Sequence, residues 1–161
     1  MSTTPVADLQ MPRIHVALTD GRIDPAALHA YLDHPDVGAH GWFHGVTRRS
    51  TQTADGRTLQ TESLSYEAHR PMAIGELHRL ANAAVERFGL LAVVIVHRLG
   101  DVPVGQSSVV MGCSSPHRRP CFDAPAWMMD ELKRDVPIWK RELFTDGNTE
   151  WQHPDRSRPD E

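Results

Sequence analysis

The chain has 161 residues, 40% hydrophobic and 24% charged, which suits one domain with a closed core and argues against extended disorder. Its formal charge of -4 at pH 7 and pI near 6.2 exclude a global attraction to nucleic acid or to an anionic membrane, so an anion site must be a local cluster. The two cysteines, Cys113 and Cys121, lack CxxC spacing, offer no zinc framework and fit a reducing compartment as buried free thiols.

The N-terminus has no basic segment followed by an apolar one, and the longest apolar run, residues 90–96, is far below the ~20 residues that span a bilayer. A cytoplasmic protein with no membrane or nucleic-acid partner is expected. Polar tails are expected at residues 1–12 and 153–161, flanking one domain at 13–152.

In chain order, residues 14–18 alternate as a short strand, and Asp24 before Pro25 reads as an N-cap opening a helix to about Asp33, which His34-Pro35 stops. Residues 37–47 have the aromatic and β-branched content of a strand, and the polar 48–58 segment reads as an exposed loop with Arg48 and Arg49 at its base. Residues 59–69 alternate as a further strand, with Thr61 expected on the face opposite Leu64 and Tyr66. The clearest helix spans 72–88, where Met72, Leu77, Leu80, Ala84 and Phe88 recur at helical spacing and Gly89 stands at C′.

The run 90–96 suits a strand buried on both faces, 100–103 reads as a turn, and 106–113 as a strand leading into Ser115, His117 and Arg118. A helix is expected through 126–134, its start left open by Pro120 and Pro125. Residues 137–143 and 149–152, turned by Asp146-Gly147, complete a hairpin. Strands interleaved with helices, joined by hairpins as well as crossovers, predict an α+β (mixed α/β) fold with helices on one face of the sheet.

The segment 115–142 gathers the chemistry. Lys133 and Lys140 lie seven residues apart with Pro137 between them, so a helix end followed by a bend and a strand would fold one ammonium toward the other. A neighbouring cation and partial burial both lower an amine's pKa and make it usable as a nucleophile or acid/base group, although two solvated surface lysines satisfy the same spacing. His117 and Arg118 between a strand and a helix stand where backbone N–H groups favour phosphate or carboxylate, and equally where a histidine caps a helix. There is no HExxH, GxSxG, Walker A or GxGxxG pattern, so no metal, serine nucleophile or classical nucleotide loop is expected.

Five blocks in register, FHGVTR at 43–48, LSYEAHRPMA at 64–73, VIVHRLGDVPVG at 94–105, SSPHR at 114–118 and MMDELKRDVPIWKRE at 128–142, resemble the large, catalytic subunit of molybdopterin synthase, over residues 13–152. The resemblance implies an α/β hammerhead-like fold with an additional antiparallel sheet, and an enzyme without a cofactor of its own that puts two sulfurs into cyclic pyranopterin monophosphate. The implied sulfur donor is a ubiquitin-like small subunit with a C-terminal thiocarboxylate, and the implied assembly is a homodimer of large subunits within a heterotetramer. It further implies Lys133 and Lys140 as catalytic residues, and Arg48, His117, Arg118, Phe43 and Met129 as substrate-binding residues. On that basis His117, Arg118 and Arg48 are expected to hold one phosphate, with Lys133 at the thiocarboxylate carbonyl and Lys140 moving protons. His44 and Arg49 depart from the family pattern, and Pro125 interrupts the expected helix. The alternative is a non-catalytic family member that docks the small subunit or an anionic ligand.

Overall fold

The computed structural model describes residues 11–152, so the tails expected at 1–12 and 153–161 lie outside the described residues except for Met11 and Pro12. The elements run β1 (Arg13–Thr19), a 3₁₀ helix (Pro25–Leu32), β2 (Ala39–Val46), β3 (Ser50–Gln52), β4 (Thr58–Ala68), α1 (Arg70–Phe88) and β5 (Ala92–Arg98). They continue with β6 (Gly100–Pro103), β7 (Ser107–Ser115), α2 (Arg118–Asp135), β8 (Ile138–Phe144) and β9 (Thr149–Gln152). This is a mixed α+β fold of two sheets. No helix of the described residues is long and apolar enough to cross a membrane.

The first sheet has the order β1-β5-β7-β2, with β5 parallel to β1 and antiparallel to β7, and β2 antiparallel to β7. The apolar run of β5 is central, and Val93, Val94 and Ile95 have no exposed surface, because side chains of both faces are covered. α1 and α2 cover one face, placing Leu77, Leu80, Met128 and Leu132 in one core with Val93, Ile95 and Met111. The 3₁₀ helix covers the other, where Leu28 and Leu32 meet Val94, Val96 and Val110. The expectation of helices on a single face is therefore corrected. Asp24 does cap this segment, accepting from the Ala26 N–H at 3.1 Å, but eight residues bounded by prolines are too few for a cooperative α-helix, and the tighter 3₁₀ form results.

The second sheet has the order β3-β4-β8-β9, with β6 also paired to β4. Two segments expected to be irregular are strands. Residues 100–103 form β6, whose buried Val102 pairs with Leu64, and the expected 48–58 loop contains β3, paired with β4 through Thr51 and Leu59. Both are short and polar, so their sequences carry little alternation. A register shift between Thr61 and Ser63 reverses the alternation of β4. Thr61 consequently bonds Glu142, the residue that pairs with Leu64, and lies on the inner face rather than opposite Leu64.

α1 begins at His69, whose Nδ1 accepts from the Met72 N–H at 3.3 Å, and ends at Gly89 with φ 64°, as the sequence predicts. α2, whose start the sequence left open, begins at Arg118, with Pro120 in its first turn and Pro125 in its interior. Proline has no N–H, so the Cys121 carbonyl loses its helical partner. The backbone of β2 fills the gap: a Cβ built on Gly41 would stand 1.9 Å from that carbonyl oxygen, so only glycine lets its Cα approach as a weak C–H donor.

Candidate active site

β2 and α2 run side by side in the same direction, Gly38 lying against Pro116 and Gly41 against Cys121. Between them is an open groove lined by Phe43, Arg118, Phe122, Pro125 and Ala126. At 100° per residue, Arg118, Phe122, Met129 and Lys133 fall on one stripe of α2, which leads from the groove at the helix N-terminus toward Lys133. Phe43 and Met129 are partly buried and pack on the main core, which makes them the apolar floor of this stripe. Phe122 is 72% exposed on the groove rim.

At the C-terminal end of α2 the chain turns at Val136, whose N–H donates to Leu132, and Pro137 leads into β8. This places Lys140 on the inner face of the second sheet, paired across to Tyr66 of β4 and Gln152 of β9. Burial is the main cause holding the Lys140 ammonium below the usual lysine pKa of 10.5. Glu142, two residues on and on the same strand face, opposes that shift, whereas Lys133 and Arg48 reinforce it. The three cations predicted from distant parts of the sequence are thus brought together around Lys140.

Arg48 itself is exposed, on a stretch anchored on both sides. The Thr47 N–H donates to Gln106 at 3.1 Å and its carbonyl accepts from Gly105 at 3.0 Å, while the Arg49 carbonyl accepts from the Thr61 N–H at 2.8 Å.

His117 is the N-cap of α2 with no side-chain cap bond, and Arg118 is its first residue; both are exposed. The helix start therefore presents free N–H groups and two donor side chains, as expected. α2 begins at Arg118, however, and its length separates Arg118 from Lys133 by about 22 Å at 1.5 Å per residue. Within one chain, His117 and Arg118 stand apart from the cluster of Arg48, Lys133 and Lys140, and the expectation that they hold one phosphate together with Arg48 is corrected.

Sequence reasoning missed Glu142, Thr51 and Thr61. The Glu142 carboxylate, 2% exposed, accepts from Thr51 Oγ1 at 2.7 Å, Thr61 Oγ1 at 2.5 Å and Gln152 Nε2 at 3.0 Å. The available signal was an acid alternating with Lys140 on one strand.

It also missed the buried pair behind Lys140, in which the Tyr66 ring meets the His97 ring edge-on at 5.0 Å. His97 Nδ1 lies 2.8 Å from the Arg98 carbonyl, which can only accept, so Nδ1 carries the proton. Burial lowers the His97 pKa to about 4. Its neutral form thus supports the fold fully above pH 6.5, and that support fades as pH falls toward 4, by about 3 kcal/mol. Thermal unfolding followed between pH 7 and 4.5 is expected to show a shallower loss in His97→Asn, which keeps a donor for Arg98, than in the unaltered chain. Equal slopes would contradict it.

Among the described residues no group of three or more His, Cys, Asp or Glu side chains is placed to hold a metal ion. Burial pushes the Cys113 thiol up to about 12 and raises Cys121 as well, so both are protonated thiols at neutral pH.

Fold and site together define a class: a two-sheet α+β protein whose edge strand and long helix frame a groove near the start of that helix, with a cluster of two lysines and an arginine beyond the helix's far end, suited to an anionic ligand. Comparison with known proteins places it further. The chain belongs to the MoaE family, whose model, described as MoaE protein, matches residues 18–135. It is 40% identical over 138 residues to the molybdopterin synthase catalytic subunit of Aspergillus niger, covering 86% of this chain and 74% of that protein. Its fold superposes on the crystal structure of molybdopterin synthase from Staphylococcus aureus with TM-score 0.76 and 30% identity, over 84% of this chain and 94% of that one. A chain from the complex of subunits 1 and 2 of molybdopterin-converting factor from Helicobacter pylori shares the fold at TM-score 0.64 and 20% identity, over 89% and 93% of the two chains.

Proposed function

We propose that this chain is the catalytic subunit of a molybdopterin synthase, moving sulfur from a thiocarboxylated ubiquitin-like small subunit to cyclic pyranopterin monophosphate to form the dithiolene of molybdopterin. The observation that carries the reading is the grouping of Lys133 and Arg48 around the partly buried Lys140, beyond the end of the α2 stripe that leads from the groove. Glu142 offsets part of this charge while accepting from Thr51, Thr61 and Gln152, and the exposed Lys133 and Arg48 add positive charge that attracts an anionic substrate. The groove from Phe43 to Met129 fits an extended, small-residue C-terminal tail, delivering its thiocarboxylate to Lys133.

In this reading Arg48 binds the phosphate of the pterin and Lys133 polarises the thiocarboxylate carbonyl; the thiocarboxylate sulfur bonds to a pterin carbon, and water then adds to the acyl carbon, breaking its bond to sulfur and leaving a carboxylate on the small subunit. Lys140, with its lowered pKa, takes and returns the proton. His117 and Arg118, about 22 Å away along α2, meet substrate only if a second copy of the chain brings its helix start to this lysine cluster, which favours a homodimer within a heterotetramer. The sulfur arrives on the small subunit in this reading, so neither thiol is needed for the reaction, and free thiols fit a reducing compartment such as the cytoplasm. Replacing both Cys113 and Cys121 with alanine is expected to leave turnover largely intact; a folded but inactive double variant would contradict this.

The reading is tested by mass spectrometry of the small subunit after incubation with this chain and the pterin. Conversion of its thiocarboxylate to carboxylate that requires both components supports sulfur transfer; a tight complex that leaves the thiocarboxylate unchanged supports the docking-module alternative.

A further inference from the structure

The Glu142 carboxylate is buried on the same strand face as Lys140, and among the described residues its close partners are hydrogen-bond donors rather than an ion pair. A carboxylate removed from water is tolerated only when such donors replace its hydration. Two of the three, Thr61 and Gln152, sit on β4 and β9, which backbone ladders already hold to β8. Thr51 is different. β3 is three residues long, pairs with β4 alone, and leaves Ser50 and Gln52 exposed. Among the described residues it is tied to β8 through the Thr51 hydroxyl, which donates to Glu142 across 91 positions of sequence.

That tie has a consequence three residues upstream. Arg48 lies between the anchors at Thr47 and Arg49 and the start of β3, so the path of its backbone is set by the Thr47 bonds, the Arg49–Thr61 bond and the seat of β3. The first two fix peptide groups; the third fixes how β3 leans on β8, the strand that carries Lys140. We propose that Thr51 is a positioning residue: by donating its hydroxyl to the buried Glu142 carboxylate it clamps the Arg48 arm onto β8 and holds Arg48 beside Lys140 for the phosphate of the substrate. The proposal rests on the reading that Arg48 binds that phosphate.

The test compares the full chain with Thr51→Val, which keeps the shape and removes the donor, and Thr51→Ser, which keeps the donor. Amide hydrogen exchange across residues 48–52 is expected to quicken about tenfold in Thr51→Val, the scale of one lost hydrogen bond to a charged group, with α1 unaffected and Thr51→Ser close to the unaltered chain. In the reconstituted reaction the KM for cyclic pyranopterin monophosphate is expected to rise about tenfold, while the KM for the thiocarboxylated small subunit stays within about twofold. Unchanged exchange in Thr51→Val overturns the clamp, and faster exchange with an unchanged pterin KM overturns the positioning role. A general loss of stability would move α1 exchange and both KM values together, and this too overturns it. The exchange measurement needs no substrate, so an unaltered chain that makes no dithiolene counts against the proposed function while the clamp is still decided.

Discussion

Lys140→Ala is expected to lower dithiolene-forming turnover by roughly 10²- to 10⁴-fold, the range of a lost general acid/base, while the small subunit still binds. Burial holds the Lys140 ammonium below its ordinary pKa, with Lys133 and Arg48 adding to the shift and Glu142 opposing it. The signs follow. If the neutral amine is the working form, the rate rises with pH up to the lowered Lys140 pKa and levels above it. Glu142→Gln removes the charge that favours the ammonium, so the limb moves to lower pH. Lys133→Ala removes a repelling charge, so whatever rate survives has its limb at higher pH. Lys140→Arg keeps the charge but cannot give up a proton, and is expected to be as slow as the alanine variant. Turnover against pH for these proteins checks all four statements, and unaltered turnover in both Lys133→Ala and Lys140→Ala would sink the assignment.

Gly41→Ala is the substitution outside the cation cluster with the largest expected effect. The added Cβ meets the Cys121 carbonyl oxygen at 1.9 Å and its carbon at 2.7 Å, both backbone atoms of α2. Neither can rotate away, so β2 and α2 must separate, opening the groove and unpacking the strand from Cys121 and Ala124. A loss of about 3 kcal/mol is expected, the upper end for overpacking, or roughly 6–12 °C in the thermal midpoint of a domain of this size. Gly75→Ala, with nothing within 4 Å of the added carbon, is the control and is expected to be neutral or slightly stabilising in its helix. A Gly41→Ala protein as stable as the control would contradict the close approach.

The strongest sequence signals concerned single elements. The apolar run of β5, the period of α1 and its Gly89 stop, and the Asp24 cap each depend on neighbours within one or two turns, so local pattern sufficed. What escaped depends on distant pairing. β3 and β6 are strands because β4 offers them an edge, not because Ser50–Gln52 or Gly100–Pro103 alternate. Pro125 argues locally against a helix, yet the helix passes through it because Gly41, 84 positions earlier in the chain, closes on the carbonyl that the proline leaves free.

The candidate site divides in the same way. Lys133 and Lys140 were legible as a pair because Pro137 folds the chain between them, and the resemblance of five sequence blocks tied Arg48 to them. The Glu142 clamp was not legible, since two threonines and a glutamine carry no spacing that points to one carboxylate. The distance between Arg118 and Lys133 was hidden for a related reason: it follows from where α2 begins, the boundary that two prolines obscured. Trp139 is 38% exposed on β8, on the face opposite Lys140, whereas Met128 and Leu132 of the preceding helix are buried.

The most direct test mixes the full chain with a thiocarboxylated ubiquitin-like small subunit and cyclic pyranopterin monophosphate and measures the dithiolene formed. Two sulfurs per pterin, formed by the unaltered chain and lost in Lys133→Ala and Lys140→Ala, is the predicted result. Binding of both substrates by the unaltered chain with no sulfur moved to the pterin would contradict the account and leave a docking protein in its place.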